Sequence, residues 1–234
     1  MSGARAERIL DVAGDLLQRW GYKRVTIADV ARVADVGKGT VYLHWRSKED
    51  LFVTVLVRER LAVLAELVEA MRQDPGTVLL DRFTCAARVA LTHRPIADAM
   101  YRNDFDTLGA LARTGSEVMQ ESRRLSEEGI ADHVRLLREH GLARTDLDLD
   151  AQLFAFSAVG VGFLVIDRFV IDDEQRELDW KLDVLGKTIR NAFGPVEKPE
   201  PDVLRAVAPR IRGIYQDQIT RVDKLIRAQM GEDS

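Results

Sequence analysis

Apolar residues along most of this chain recur every three or four positions, which is the period of an amphipathic α-helix. The first apolar stripe runs from Ile9 to Trp20 and is followed at once by Gly21. Glycine favours the left-handed backbone that closes many helices, so we expect the first helix to end there. No segment alternates apolar and polar residues in the manner of a strand, and the pattern therefore predicts an all-α fold.

A second pattern occupies residues 25–52, where two short amphipathic segments flank a glycine-containing break at residues 35–37. A hydroxyl residue that caps a helix is often followed three positions later by an acidic residue. The segment contains two such pairs, Thr26 with Asp29 and Ser47 with Asp50. Helix, tight turn and helix is the geometry that lays a second helix in the major groove of DNA.

Helical periodicity continues beyond this segment. A long helix is predicted from Ser47 to about Asp74, and a stiff linker at residues 194–201 precedes a last amphipathic helix that begins at Pro209. The sequence thus predicts a DNA-binding domain over 1–47, a helical domain over 48–194, and a linker with a C-terminal helix over 195–234. Within the helical domain, the predicted helices are 77–92, 95–102, 104–139, 149–170 and 175–193.

Charge is unevenly distributed along the 234 residues. The chain has a net charge of −4, but residues 1–60 carry 11 basic and 8 acidic residues, a net of +3, whereas the remainder has a net of −7. A mildly basic N-terminal part suits a duplex-facing module. The single cysteine, Cys85, indicates a reducing compartment, and the longest apolar run has 14 residues, too few for a membrane span. With no secretory signal visible, we expect a cytoplasmic protein without membrane association.

The second short helix carries the side chains best suited to touch a duplex. Gly37 and Gly39 flank Lys38, and the absence of their side chains lets the backbone approach a groove closely. Hydroxyl and imidazole groups follow at Thr40, Tyr42 and His44, while Val41 and Trp45 are expected to face inward. Lys48 lies in the first turn of the next helix, where a phosphate would meet both its ammonium group and free backbone N–H groups.

The segment VTIADVARVADVGKGTVYLHWRSKEDLF resembles the DNA-binding segment of the TetR family of transcriptional repressors, with its K-G-T-x-Y-x-H/Y-F-x-S-K-E-x-L core. The resemblance covers about residues 5–55. It implies a reader of three N-terminal helices followed by a larger helical body that binds an effector and dimerises.

The resemblance also assigns roles to residues of the reader. Thr26, Tyr42, Lys48 and His44 match positions that contact the phosphate backbone, whereas Lys38, Gly39, Thr40 and Leu43 match positions that approach base edges. Leu43 stands where many members carry an aromatic residue or histidine. Because leucine offers only apolar contact, direct readout is expected to depend mainly on Lys38.

The same resemblance implies a homodimer formed by the helices at about 149–170 and 175–193. The first of these is apolar on nearly every side, and such a helix must be buried all round. A symmetric dimer also matches the two half-sites of a pseudo-palindromic operator. The C-terminal helix is expected to pack either on its own subunit or across the dimer.

An effector pocket is the least defined expectation. Met100, Tyr101, Phe105 and Phe163 are candidates to line it, with His133, Asn103 or Arg102 as polar anchors. No metal site and no cofactor are predicted, because the histidines lack the spacing and the cysteine partner of familiar zinc sites.

The sequence therefore predicts a TetR-like regulator, a dimeric repressor of double-stranded DNA that a small-molecule effector releases. One alternative is a transcription factor, including an activator, that responds to no ligand or to a protein partner. The other alternative is an all-helical enzyme, which the absence of nucleophile, P-loop and dinucleotide motifs disfavours.

Overall fold

The computed structural model describes residues 2–102, 116–166 and 177–231, and every regular element in these ranges is helical. Side chains are not described for Ser2 and residues 99–102. The predicted all-α fold is confirmed. The helices are α1 (Ser2–Trp20), α2 (Ile27–Val33), α3 (Lys38–His44), α4 (Lys48–Gln73), α5 (Leu80–Thr92), α6 (Pro95–Arg102), α7 (Glu117–Glu139), α8 (Leu149–Val165), α9 (Leu178–Phe193) and α10 (Pro201–Gln229).

The described residues form two compact units, each assembled from separated stretches of chain. Unit 1 comprises residues 1–62, 94–124 and 219–234, and unit 2 comprises residues 63–93 and 125–218. Unit 1 thus contains α1 to α3 together with the last turns of α10. The domain boundaries expected from the sequence, after residues 47 and 194, stay a prediction.

The core of unit 1 follows the apolar stripes of its helices. The predicted face of α1 is buried at Ile9, Ala13, Leu16 and Leu17. Gly21 has a φ of +74° and donates its N–H to the Leu17 carbonyl at 2.9 Å, so the predicted helix end is confirmed. The start of α4 contributes a continuous stretch, 51–57, in which every residue is buried.

Unit 2 is held together by close packing between α5 and α9. Gly186 lies opposite Cys85, whose sulfur would be 3.3 Å from a β-carbon built at Gly186, so only a glycine fits there without adjustment. Buried Asp81 accepts hydrogen bonds from Arg190 at 2.7 and 2.8 Å. Burial raises the pKa of the Cys85 thiol, the Asp81 charge raises it further, and Arg190 opposes the shift. Cys85 is thus a protonated, half-buried thiol in the packing between α5 and α9.

The prediction that Pro209 begins the last helix is wrong, because α10 begins at Pro201 and has Pro209 in its interior. Proline removes one helical N–H, which leaves the Arg205 carbonyl without its usual donor. Both residues are exposed, so water reaches this part of the helix. The buried face that follows, from Ile211 to Met230, stabilises the helix despite the missing bond.

No helix within the described residues is both long enough and apolar enough to cross a bilayer.

Candidate DNA-binding site

The first helix of the predicted motif, α2, begins with a complete capping box at Thr26. The Thr26 hydroxyl accepts from the Asp29 N–H at 3.2 Å, and the Asp29 carboxylate accepts from the Thr26 N–H at 3.2 Å. The same carboxylate accepts from the Thr26 hydroxyl at 2.6 Å. These bonds, together with a salt bridge from Arg32, lower the pKa of Asp29. The capping interaction expected from the spacing is confirmed.

The turn between α2 and α3 is formed by Asp35, which has a φ of +53°. The Val36 N–H donates to the Ala31 carbonyl at 2.9 Å, and the Asp35 N–H donates to the Arg32 carbonyl at 3.4 Å. This is the Schellman arrangement, in which the left-handed position is usually occupied by glycine. Aspartate tolerates that conformation better than most side chains do, and the left-handed position therefore lies two residues before the glycine of the break, Gly37.

The second helix, α3, separates its faces sharply. Val41 and the residue that caps its C-terminus, Trp45, are fully buried, whereas Tyr42 is 52% and Leu43 is 81% exposed. Lys38 and Gly39 are exposed as well, and Thr40 and His44 are partly exposed. The side chains expected to meet DNA thus occupy the solvent side of α3, and the side chains expected to face inward are buried.

Trp45 fixes the C-terminal end of α3 against α4. Its indole N–H donates to the Thr54 hydroxyl at 3.1 Å, and both side chains are buried. The Thr54 hydroxyl lies 2.9 Å from the Asp50 carbonyl and 3.3 Å from Oε1 of Gln229 on α10. Its single proton is donated to one of these two acceptors at a time.

The start of α4 repeats the capping pattern, since the Ser47 hydroxyl accepts from the Asp50 N–H at 3.0 Å, as predicted. The neighbouring Lys48 ammonium donates to the Tyr22 carbonyl at 2.6 Å and lies 4.1 Å from the centre of the Tyr22 ring. This is a hydrogen bond reinforced by a cation–π contact. Lys48 therefore ties the α1–α2 connection to α4, a role that the sequence analysis missed.

Electrostatics at this junction follow from partial burial. Burial lowers the pKa of Lys48, an effect that the negative charge of Glu49 opposes. Burial also raises the pKa of Tyr22, and the hydrogen bond from its hydroxyl to Glu49, at 2.8 Å, adds to the shift. Tyr22 therefore stays a neutral donor. An ammonium that already has one carbonyl partner retains two protons for a further acceptor such as a phosphate.

The residues expected to bind an effector are not brought together within the described part of the chain. Phe105 lies outside the described residues, as does Asn103, and the side chains of Met100, Tyr101 and Arg102 are likewise not described. Phe163 is partly exposed on α8.

His133 is a fully buried core residue of unit 2. Its Nε2 lies 2.7 Å from the Val78 carbonyl, which can only accept, so Nε2 carries the proton. Its Nδ1 then accepts from the Tyr215 hydroxyl at 2.8 Å. Burial lowers the pKa of His133 to about 4, with the Val78 hydrogen bond opposing the shift. With both nitrogens occupied, His133 has none left to anchor an effector in this conformation.

Comparison with known protein families supports the assignment of the motif. The family model described as bacterial regulatory proteins, tetR family, matches residues 9–55, which span α1 to the beginning of α4. This range contains every position expected to contact DNA.

Among related sequences, the uncharacterized HTH-type transcriptional regulator YhgD of Bacillus subtilis is 39% identical over 72 residues, covering 30% of this chain and 38% of YhgD. The chain thus matches less than half the length of that relative. The HTH-type transcriptional repressor KstR2 of Rhodococcus jostii is 29% identical over 160 residues, covering 64% of this chain and 72% of the repressor.

Solved structures match over a greater length. A TetR-family regulator from Shewanella sp. PV-4 gives a TM-score of 0.58 at 17% identity, covering 81% of this chain and 98% of that protein. SmeT in complex with triclosan gives a TM-score of 0.55 at 19% identity, covering 85% of this chain and 98% of SmeT. At such low identity, these matches establish the fold.

Proposed function

Because this chain belongs to the TetR family of bacterial regulatory proteins, we propose that it is a transcriptional repressor that binds double-stranded DNA through α3. The observation that carries the proposal is the two-sided character of α3. Its inner side is fixed by buried Val41 and Trp45, and its outer side presents Tyr42 and Leu43 to solvent. A rigidly held helix with an exposed polar and apolar face is the form of a major-groove reader.

The proposal divides the exposed residues between two tasks. Lys38, Gly39, Thr40 and Leu43 approach base edges, with Lys38 as the hydrogen-bond donor and Leu43 as an apolar contact for a thymine methyl. Tyr42, His44, Lys48 and Thr26 contact the phosphate backbone. For Thr26 the phosphate contact requires its hydroxyl to turn its single proton away from the Asp29 carboxylate, while the hydroxyl oxygen still accepts from the Asp29 N–H.

We further propose that the repressor is a homodimer. Unit 2 exposes apolar side chains along α8, where Phe154 is 78% exposed and Val161 and Ile166 are also exposed. A helix of this composition is stable in water only when its apolar surface is covered, and a second copy supplies a matching surface. The dimer would place two copies of α3 on the half-sites of one operator.

A small-molecule effector completes the proposed mechanism. KstR2 is named a repressor, and SmeT binds triclosan. We propose that an apolar effector favours a conformation of the dimer in which the two reading helices no longer match the half-site spacing. A tenfold loss of operator affinity requires only about 1.4 kcal/mol of differential binding.

The test is selection of bound duplexes from a random-sequence library, followed by titration of the selected duplex at several salt concentrations. Tyr42→Phe should weaken binding, because it removes a phosphate donor. Lys48→Ala should also weaken binding to all sequences and reduce the salt slope by about 0.9, the contribution of one phosphate contact.

Tyr22→Leu is the control for the structural part of the Lys48 role, since it removes the ring that the ammonium contacts and leaves the charge of Lys48 in place. Its salt slope should equal that of the wild type. An unchanged slope in Lys48→Ala would contradict the phosphate contact, and failure to select any duplex sequence would contradict the proposed function.

A further inference from the structure

The C-terminal turns of α10 belong to the same compact unit as α3. Residues 219–231 lie in unit 1, and they bury one face at Val222, Ile226 and Met230, which are spaced by four positions. Met230, the first residue after α10, is completely inaccessible to solvent. A helix end held this firmly contributes to the packing of its unit.

A short hydrogen-bonded chain connects this terminus to the end of α3. Gln229 on α10 lies 3.3 Å from the Thr54 hydroxyl, and that hydroxyl accepts from the indole N–H of Trp45. Trp45 caps α3 immediately after the residues that face solvent. When Thr54 donates to Gln229, the amide oxygen strengthens the hydroxyl as an acceptor for the indole.

The same turns of α10 lie beside the exposed end of α3. Tyr42, Leu43 and His44 form one side of a groove of about 800 Å³, and Leu225, Ala228 and Gln229 also line it. The groove therefore brings the C-terminal helix next to residues that are proposed to contact DNA.

From these contacts we infer that Gln229 is a positioning residue for DNA recognition, and that the end of α10 holds α3 in place through Thr54 and Trp45. This inference rests on the proposed function for its consequence in DNA binding. Loss of the Gln229 contact leaves α3 intact but lets its C-terminal end move relative to α4. Tyr42 and His44 then lose their fixed geometry, and affinity falls without loss of any residue that touches DNA.

The first experiment compares Gln229→Leu with Gln120→Leu in the full-length protein. Gln120 is an exposed glutamine on α7 in the same unit, so it controls for replacing an amide by an apolar group. With a duplex selected from a random-sequence library as the probe, Gln229→Leu should bind about threefold to tenfold more weakly, as expected for one lost hydrogen bond. Gln120→Leu should bind like the wild type.

A double-mutant cycle identifies the path of the effect. Thr54→Val removes the hydroxyl and should weaken binding, whereas Thr54→Ser retains it and should restore most of the affinity. If Gln229 acts through Thr54, adding Gln229→Leu to Thr54→Val should cause little further loss. Full additivity of the two effects, or wild-type affinity in Gln229→Leu, would overturn the inference.

Amide hydrogen exchange tests the positioning without DNA. Gln229→Leu should exchange faster at residues 41–45 and unchanged at residues 9–17 of α1. If the wild-type protein selects no duplex, the proposed function fails, while this measurement still decides the inference. Equal exchange at residues 41–45 in the variant and the wild type would overturn it, as would a uniform increase over the whole unit.

Discussion

Gly39 lies within α3, and a β-carbon built at this position meets no protein atom within 4 Å. The fold therefore gives no reason for a glycine there, and a helix is weakened by having one. Close approach of the backbone to an external surface would provide a reason, and such an approach to DNA is the role proposed for α3. Stability and function should respond to this residue in opposite directions.

We predict that Gly39→Ala raises the free energy of unfolding by about 0.5–1 kcal/mol, the helix propensity gain of alanine over glycine, and weakens binding to the selected duplex. Urea denaturation and a binding titration measure the two effects. Gly213→Ala is the matched control, since Gly213 also lies in a helix with open space around its position. It should become more stable without change in affinity, and equal affinity in Gly39→Ala would argue against close approach.

Asp35 is the opposite case, because its backbone adopts the left-handed conformation that glycine favours. We predict that Asp35→Gly raises the free energy of unfolding by up to about 1 kcal/mol, since it relieves the left-handed conformation. Asp35→Ala should lower it, because alanine has neither the freedom of glycine nor the polar side chain of aspartate. Denaturation of both variants decides the matter, and a more stable Asp35→Ala would contradict the assigned turn.

Single residues also show how far sequence reasoning reached. The capping roles of Thr26 and Ser47 and the burial of Val41 and Trp45 depend on local spacing, and the structure confirms them. The partner of Lys48 was not predictable, because Tyr22 stands 26 positions away and offers its backbone carbonyl. A local pattern fixes cap chemistry, whereas contacts of that kind depend on how helices pack.

At the scale of elements, the helices of unit 2 meet at a buried polar group. His133 on α7 connects the Tyr215 hydroxyl of α10 with the carbonyl of Val78, at the end of the short turn before α5. The ring of Phe83 on α5 lies against both His133 and Tyr215, at centroid distances of 5.0 and 5.3 Å. The sequence predicted His133 as a polar anchor for an effector, whereas the packing of the helices gives both of its ring nitrogens partners within the chain.

This arrangement predicts a pH dependence of stability. The pKa of His133 is about 4 in the folded protein and about 6.5 when unfolded, so the unfolded chain binds more protons between these values. Stability contributed by the neutral ring is present above pH 6.5 and is lost as the pH falls toward 4. The loss between pH 7 and pH 5 should be about 2 kcal/mol for this residue.

His133→Gln, which cannot titrate, should be less stable than the wild type at pH 7 because it disturbs two buried hydrogen bonds. Its stability should decrease by about 2 kcal/mol less than that of the wild type between pH 7 and pH 5. Denaturation curves at the two values provide the comparison. Parallel losses in both proteins would show that His133 is not the titrating group.

The boundaries of the helices are likewise predictable where local residue chemistry sets them and not where packing does. The end of α1 at Gly21 and the start of α6 at Pro95 follow from glycine and proline chemistry, and the structure confirms both. The predicted start of α10 is wrong by eight positions. Two prolines, Pro201 and Pro209, fit a helix start equally well in the sequence. The apolar face beyond Pro209 is buried, and this packing carries the helix through it.

At the scale of the whole molecule, the exposed apolar surface of α8 determines the expected assembly. We predict that Phe154→Glu converts the protein to a monomer and abolishes tight operator binding, since a charge cannot be buried without a partner. Val196→Glu is the control, because Val196 is 84% exposed but lies in the loop after α9. Sedimentation velocity at micromolar concentration measures both, and a wild-type monomer would contradict the dimer.

The all-helical architecture was predictable because apolar residues recur with the helical period in most segments, and the structure confirms it. The composition of unit 1 was not, because it joins residues 1–62 to residues 219–234. Nothing in the apolar stripe from Ile211 to Met230 indicates which surface it covers. Contacts between distant segments depend on shape and complementarity that a single sequence leaves open.

The Thr54–Gln229 hydrogen bond joins residues that are 175 positions apart. Both residues belong to unit 1, and the whole of unit 2 lies between them in the sequence. A contact of such long range forms late, since the chain entropy lost in closing it is recovered only when both partners are present. Unit 1 is therefore expected to reach its finished packing later than α1 to α3 form as helices.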